Sequence, residues 1–272
     1  MNITGRRTLT QDDYTIGWIC ALPFEYHVAR EFLDEEHNGP QDVSPHDNNL
    51  YTLGRIGDHN IVIVAPPNGD GNGLSSTAVV IKCLLDSFFN IKVGLLVGIG
   101  GGAPSFKHDI RLGDIVVVLL HTAVTTLQSI RTLGDRIHKA VDFLFVKSPQ
   151  LLRSFKRPEA TSDRLYRTSV THPAEGGAEC STVCGNDPSS LIKRHDQGER
   201  DNGPEIHYGL IASANTPIKD ASVRDTLVEK KDVLCFETEA AGLMNDFPCL
   251  VVRGICDYSD SHKNDQQPKC SR

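Results

Sequence analysis

Apolar residues along the chain fall into short continuous runs that alternate with stretches of helical spacing. Residues 16–22 form the first apolar run, closed by Pro23. Val28, Ala29, Phe32 and Leu33 then recur at helical spacing over residues 25–36, which places Glu25 at a strand-to-helix junction. Strands over 51–55 and 60–65 are joined by the turn Gly57, Asp58, His59, and a loop rich in Pro, Gly, Asn and Asp covers 66–73. A helix over 75–89 follows, with Ser75 as its cap. Residues 93–99 read as a buried strand, 100–105 as a flexible glycine turn, and 115–120 as another strand after Leu112, Gly113 and Asp114. The pattern blurs over 121–205, where a helix at 136–152 precedes a polar stretch, 158–202, rich in Gly, Pro and Ser. It returns with strand 207–212, helix 222–231, strand 233–236, helix 239–244 and strand 249–255. This alternation predicts one α/β domain over 14–264 whose parallel or mixed sheet is covered on both faces, with an irregular insert at 121–205. Residues 1–13 and 265–272 read as polar tails.

Composition narrows the partners. A chain of 272 residues can bury a substantial core. The net charge of -7 comes without a basic stripe, so nucleic acid is not an expected partner. Basic residues between Arg153 and Arg167, with only Phe155 and Tyr166 among them, read as a solvated face. The polar N-terminus lacks the apolar middle of a secretory signal, and no apolar run is long enough to cross a bilayer. Eight cysteines are too few for a disulfide framework at this length, and Cys20, Cys83, Cys235, Cys249 and Cys256 lie in apolar segments. A reducing, cytoplasmic setting is the expectation.

The candidate chemistry lies in Cys235-Phe236-Glu237-Thr238-Glu239-Ala240-Ala241-Gly242 and in Arg253-Gly254-Ile255-Cys256-Asp257. Three carboxylates stand at the edges of apolar segments, where burial is costly unless each is hydrogen-bonded or used. Glutamates two apart at a strand end face one side and can accept hydrogen bonds from two neighbouring hydroxyls, as a ribose diol offers. Asp257, after a separate strand, can carry or share a proton. Taken singly, Glu25 and Glu239 are accounted for by a helix N-terminus. Together with Glu237 and Asp257 they stand at the ends of different strands, where an open α/β sheet places its ligand. The expectation is that these acids surround one sugar-sized hollow.

Two motifs are set against that expectation. Gly98-Ile99-Gly100-Gly101-Gly102-Ala103 matches the glycine fingerprint of dinucleotide binders, but Pro104 follows where a helix should open and no acid ends the strand 115–120. A tight turn or a backbone platform for a flat ligand remain as readings. Cys180 and Cys184, with His172 and His195 nearby, lie within the spacing of zinc ligands, but the histidines are not at finger spacing. Reduced loop thiols are expected there, with no metal and no cofactor.

Six motifs carry a family resemblance: Ile16-Gly17-Trp18-Ile19-Cys20-Ala21-Leu22-Pro23-Phe24-Glu25, Val97-Gly98-Ile99-Gly100-Gly101-Gly102, Arg111-Leu112-Gly113-Asp114-Ile115-Val116-Val117, Gly209-Leu210-Ile211-Ala212-Ser213, Phe236-Glu237-Thr238-Glu239-Ala240-Ala241 and Val252-Arg253-Gly254-Ile255-Cys256-Asp257. In this order they resemble the purine and uridine phosphorylase superfamily, and within it the methylthioadenosine/S-adenosylhomocysteine nucleosidase branch and its fungal nucleosidase-like domains. Many of those fungal domains are N-terminal modules of larger ankyrin-repeat or NTPase-containing receptors. The resemblance implies a three-layer αβα fold around a mixed sheet, a homodimer, and cleavage of the N-glycosidic bond of a purine nucleoside. It gives Glu25 the activation of water, Glu239 the ribose diol, Glu237 and Thr238 the flanks of the sugar, and Asp257 protonation of the purine. Gly98, Ile99, Gly100, Pro217, Ile218 and Ser259 become substrate-binding positions. Phosphorylases of the superfamily carry an arginine where this chain has Glu25, so hydrolysis is expected over phosphorolysis.

The sequence departs from the resemblance at Thr238, where a methionine is usual, at Pro217, where an aromatic residue stacks on the base, and at Cys256, where serine is usual. The family's final long helix is expected after Asn264, and the polar run to Arg272 does not supply it. These departures raise two alternatives to a nucleoside hydrolase: a nucleoside-binding or signalling module without turnover, and an enzyme acting on another small molecule.

Overall fold

The strand runs and helix caps read above can be followed in a computed structural model, which describes residues 5–67, 74–118, 133–155, 162–173, 180–185, 187–194, 204–240, 247 and 249–262. The chain divides into two compact units, Met1–Gly98 with Thr238–Val252, and Ile99–Glu237 with Arg253–Arg272. Both contribute to an α/β fold with a mixed sheet.

In the first unit β1 (Ile16–Ile19) lies parallel to β4 (His59–Ala65) on one side and to the start of β5 (Val93–Gly102) on the other, with Ile16 opposite Ile61 and Val93. β3 (Leu50–Ile56) returns antiparallel to β4 through a turn in which Gly57 takes φ 56°, a left-handed conformation that glycine adopts without strain. Residues 61–65 of β4 are all buried, as a strand covered on both faces requires. Helix α1 (Pro23–Glu31) starts with Pro at its first turn, where the missing N–H costs nothing, and packs Tyr26 and Ala29 against Cys20, Leu33, Ile61, Ile63 and Ala65. Helix α2 (Leu74–Ser87) approaches β1 closely, since a Cβ on Gly17 would stand 2.8 Å from Leu84 Cδ2.

Two expectations shift here. The helix expected over 25–36 ends at Glu31, and Glu35–Glu36 instead form β2, antiparallel to β3, where Gly54 lets the Glu35 carbonyl within 2.6 Å of its absent Cβ. Helix α2 already begins at Leu74, so Ser75 does not cap it. Residues ahead of β1 are tied down: the amide of Asn38 donates to the Arg7 carbonyl at 2.9 Å, and Gln11 Nε2 donates to the carbonyls of Asp42 and Ser87.

In the second unit the end of β5 continues the sheet through the end of β10 (Cys249–Asp257) to β6 (Ile115–Val118) and β7 (Ile206–Tyr208). β9 (Val233–Glu237) pairs antiparallel with β5 and parallel with β8 (Leu210–Ser213). The stretch 100–102, expected to open a flexible turn, is strand, because Gly101 and Gly102 pair with Phe236 and Cys235. The single strand expected over 207–212 is two, separated by Gly209, whose Cβ position lies 2.5 Å from Leu234 Cδ1. β7 pairs with β6 and β8 pairs with β9, so the interruption transfers the chain from one neighbour to the other. Fully buried Asp114 fastens this region by accepting from the amides of Arg111 and Glu205 and pairing with His207 Nε2 at 3.0 Å.

The helix expected over 136–152 is split into α3 (Leu133–Lys147) and α4 (Pro149–Phe155), because Pro149 has no amide to continue the ladder. Within the irregular region the described residues hold α5 (Cys180–Val183) and a bridge between Tyr166 and Leu191, while Leu165 enters the core beside Ile110, Leu112, Val116, Leu234, Cys235, Ile255 and Tyr258. Helix α6 (Ala221–Lys231) is capped by Asp220, whose carboxylate accepts from the Ser222 amide, and ends at Asp232 in the left-handed region. The helix expected over 239–244 lies, beyond Ala240, outside the described residues; Glu239 itself sits in a bend. Among the described residues no helix is long and apolar enough to cross a membrane.

Candidate functional site

Glu25 is positioned by the start of α1. Leu22 is extended at the N-cap, so the chain turns sharply and the Glu25 side chain folds back: its Oε2 accepts from the amides of Ala21 at 2.9 Å and Leu22 at 3.0 Å. The carboxylate therefore fills the capping role that its position allows, and it is buried while doing so. Its charge is felt nearby, because burial first and Glu25 second push the Cys20 thiol up. In the same unit Thr238 Oγ1 donates to Glu239 Oε1 at 2.6 Å, and both residues are half-buried just past the end of β9. Gly98 lies on β5 and is half-buried.

The second unit carries the other candidates at the ends of β5, β9 and β10. Asp257 ends β10, and its Oδ1 accepts from the Ser259 amide at 2.9 Å. Ser259 takes φ 51°, a left-handed conformation that non-glycine residues seldom adopt, which turns the chain back over the strand end. The turn sits directly on Gly101: a Cβ there would lie 2.1 Å from Ser259 Oγ and 2.6 Å from Asp257 Oδ1. A Cβ on Gly100 would meet Cys235 Sγ at 2.6 Å and the Phe236 carbonyl at 2.9 Å. The room that these two glycines leave is thus filled by the protein itself, and at Gly101 by the candidate acid.

Gly101→Ala is expected to overpack this turn and to cost about 1–3 kcal/mol. Gly254→Ala, on the same sheet and with nothing within 4 Å of its Cβ position, serves as the control and should shift the urea midpoint little. Equal midpoints for the two variants would show that the Asp257 turn does not rest on Gly101.

Glu237 is buried and paired with Arg253, Oε2 to Nη2 at 2.6 Å, with side-chain exposures of 0% and 1%. Arg253 was not singled out from the sequence. The signal was present, because an arginine inside the apolar run of β10 needs a buried acid as partner. Ile99 is half-buried on β5, Pro217 is exposed, and Ile218 packs against the cluster of Ala103, Val233 and Phe236. The second unit therefore brings Gly100, Glu237, Asp257 and Ser259 to adjoining strand ends, and the first holds Glu25, Thr238, Glu239 and Gly98. Among the described residues Cys20, Cys83, Cys180, Cys184, Cys235 and Cys249 form no disulfide, whereas Cys256, expected to be a reduced thiol, is disulfide-bonded.

A strand-end carboxylate that accepts from a backbone amide can hold and deliver a proton. A mixed sheet flanked by helices, with carboxylates at its strand ends, defines the class as an α/β protein. Residues 15–269 match the family model described as the phosphorylase superfamily, and the chain belongs to that superfamily. It is similar, at 37% identity over 293 residues, to a nucleotide-binding leucine-rich repeat (NLR)-like protein of Hyaloscypha variabilis, covering 95% of this chain and 28% of that protein. This chain therefore spans little more than a quarter of that relative's length. Among solved structures it is similar to a futalosine hydrolase mutant of Helicobacter pylori, with a TM-score of 0.51 and 14% identity over 93% of this chain and 90% of that one. The 5'-methylthioadenosine/S-adenosylhomocysteine nucleosidase of Neisseria meningitidis, in complex with methylthio-immucillin-A, gives a TM-score of 0.51 and 13% identity with the same coverage. At these identities the likeness shows the fold.

Proposed function

We propose that this chain binds a purine nucleoside or thionucleoside and hydrolyses its N-glycosidic bond. The observation that carries the reading is the Asp257 carboxylate, held by the Ser259 amide over Gly101 at the end of β10, in a chain of the phosphorylase superfamily. Cleavage builds positive charge on the sugar ring and negative charge on the leaving base. In the proposed mechanism Asp257 gives its proton to the base, Glu25 takes a proton from the attacking water, and Glu239 accepts the ribose diol with Thr238 beside it. Glu237, neutralised by Arg253, positions that segment. Gly98 and Ile99 line the approach of the ligand, with Pro217, Ile218 and Ser259 around the base, while Gly100, whose open side is filled by Cys235 and Phe236, supports the strand behind them. A carboxylate at Glu25 repels a phosphate dianion, at a cost of about 1 kcal/mol or more at contact even in water, which favours water as nucleophile. A homodimeric, cytoplasmic form belongs to the same proposal.

A second reading is a nucleoside-binding module without turnover inside a larger signalling protein. It is favoured by the NLR-like relative, of which this chain covers only 28%. The test incubates the purified chain with adenosine, methylthioadenosine, inosine and guanosine, with and without phosphate, and follows base release by chromatography. Release independent of phosphate is the expected result. Tight nucleoside binding by calorimetry without release would favour the module, and neither release nor binding would remove both readings.

A further inference from the structure

Helix α5 places Cys180 and Cys184 four residues apart on one helical face, and the Cys184 amide donates to the Cys180 carbonyl at 2.9 Å. His172 Nδ1 lies 3.3 Å from Cys184 Sγ and 3.4 Å from Cys180 Sγ, and the three ligand atoms all fall within 4.8 Å of one another. Neither cysteine is in a disulfide. His172 Nδ1 can serve only one of the two sulfurs directly, and a hydrogen bond between the Cys180 and Cys184 thiols closes the triangle when no cation is bound. The same spacing also suits a cation. With metal–sulfur bonds of about 2.3 Å and metal–nitrogen bonds of about 2.0–2.1 Å, the edges of a tetrahedral zinc site are about 3.5–3.8 Å.

A fourth candidate donor stands next to His172, outside the group whose ligand atoms lie within 4.8 Å of one another. His262 is 7% exposed, and neither of its ring nitrogens has a hydrogen-bond partner among the described residues, an arrangement that is costly for a buried polar group. Its ring lies edge-to-face with that of His172, centroids 6.1 Å apart, where two imidazoles on one tetrahedral zinc would stand about 5 Å apart. Asp260 Oδ1 lies 3.5 Å from His262 Nδ1. That leaves Nε2 for the metal and provides the carboxylate behind a ligating histidine that orients its ring. Tyr166 stacks on the His262 ring at 4.1 Å and reaches the Cys180 and Gly185 carbonyls through its hydroxyl, and the His172 amide donates to Ser261 Oγ at 2.9 Å.

We propose that His172, Cys180, Cys184 and His262 hold a structural zinc ion that fastens the 166–185 segment to the chain following Asp257. Two thiolates and two imidazoles select zinc over harder cations, and four protein ligands close the site to substrate. Binding releases the two thiol protons to solvent, so the site is neutral overall. From the sequence both His172 and His195 lie near the cysteines and no metal is expected; His195 falls outside the described residues. His262 is not legible as a ligand from spacing, because it is 78 positions beyond Cys184.

The test uses the full chain purified in a thiol-free reductant without chelator. Elemental analysis is expected to find about one zinc per chain. A chelator should then make two further thiols reactive to a disulfide reagent and lower the melting temperature. Cobalt substitution should give the intense visible bands of a tetrahedral thiolate site, with the charge-transfer band reduced by about half in Cys184→Ser, which removes one of two thiolates. Asp260→Asn should weaken zinc binding about 10–100-fold while keeping the stoichiometry. Should Cys184→Ser fail to fold, the chelator experiment on the unaltered chain still decides. No zinc retained after dialysis against excess zinc, or a cobalt spectrum unchanged by Cys180→Ser and Cys184→Ser, overturns the proposal. A His262→Gln variant that binds zinc as tightly as the original overturns the four-ligand assignment. None of these readouts involves nucleoside turnover, so their failure is separate from that of the proposed hydrolysis.

Discussion

Arg253→Met is expected to destabilise the protein by about 3–5 kcal/mol, because it leaves the Glu237 carboxylate buried without its cation. Few substitutions in this chain should do more harm. The two side chains are 1% and 0% exposed, so no water is at hand to solvate an unpaired charge. Domains of this size are stable by only about 5–15 kcal/mol, so the variant should lose much of its soluble yield or unfold at far lower urea. The comparison that matters is with Arg253→Met/Glu237→Leu, in which both charges are replaced by apolar groups of similar bulk. That double variant is expected to recover most of the loss, since the penalty arises from the orphaned charge more than from the missing attraction. An Arg253→Met midpoint equal to the original would mean that Glu237 is solvated or otherwise neutralised in solution. The pair also bears on the site, because Glu237 directly precedes Thr238 and Glu239 and ends β9.

Asp257→Asn is expected to lower the rate of base release by about 10²–10⁴-fold, the usual contribution of a positioned general acid, while leaving nucleoside binding nearly intact. Asparagine keeps an oxygen for the Ser259 amide, so the turn over Gly101 should survive and the loss should appear in kcat. Glu25→Gln is expected to act similarly through water activation, although its amide oxygen can still accept from Ala21 and Leu22. Retention of the full rate by Asp257→Asn would remove it as the acid. A wild-type chain that binds nucleoside without releasing base would leave both acids as ligand contacts, as the signalling reading requires.

Much of the fold was legible because its signals are local. The runs that became β1, β3, β4, β6 and β9, and the cap of α6 at Asp220, depend on periodicities and turn residues within a few positions. The errors fall where a distant neighbour intervenes. Residues 100–102 look like a turn because glycine is permissive, yet they are strand because β9 and β10 pack where their side chains would be. Residues 35–36 look like the end of a helix, yet β3 offers them an edge. The run at 207–212 looks continuous, yet it serves two different partners. In the candidate site, Glu25 was legible as an acid at a strand-to-helix junction. The use of Glu237 was not, because the residue that neutralises it lies sixteen positions away on another strand.

The amino-acid sequence by itself determined the α/β class, the superfamily motifs and the placing of acids at segment ends, since hydrophobic period, caps and turns act over one or two turns of chain. Only the tertiary structure decided that Arg253 neutralises Glu237, that Gly101 makes room for Asp257, and that His262 stands next to His172, which itself lies against Cys180 and Cys184. Those are pairings between segments remote in sequence, selected by which strands become neighbours and by the cost of burying charge and polar atoms without partners, and neither is written in any short window of residues.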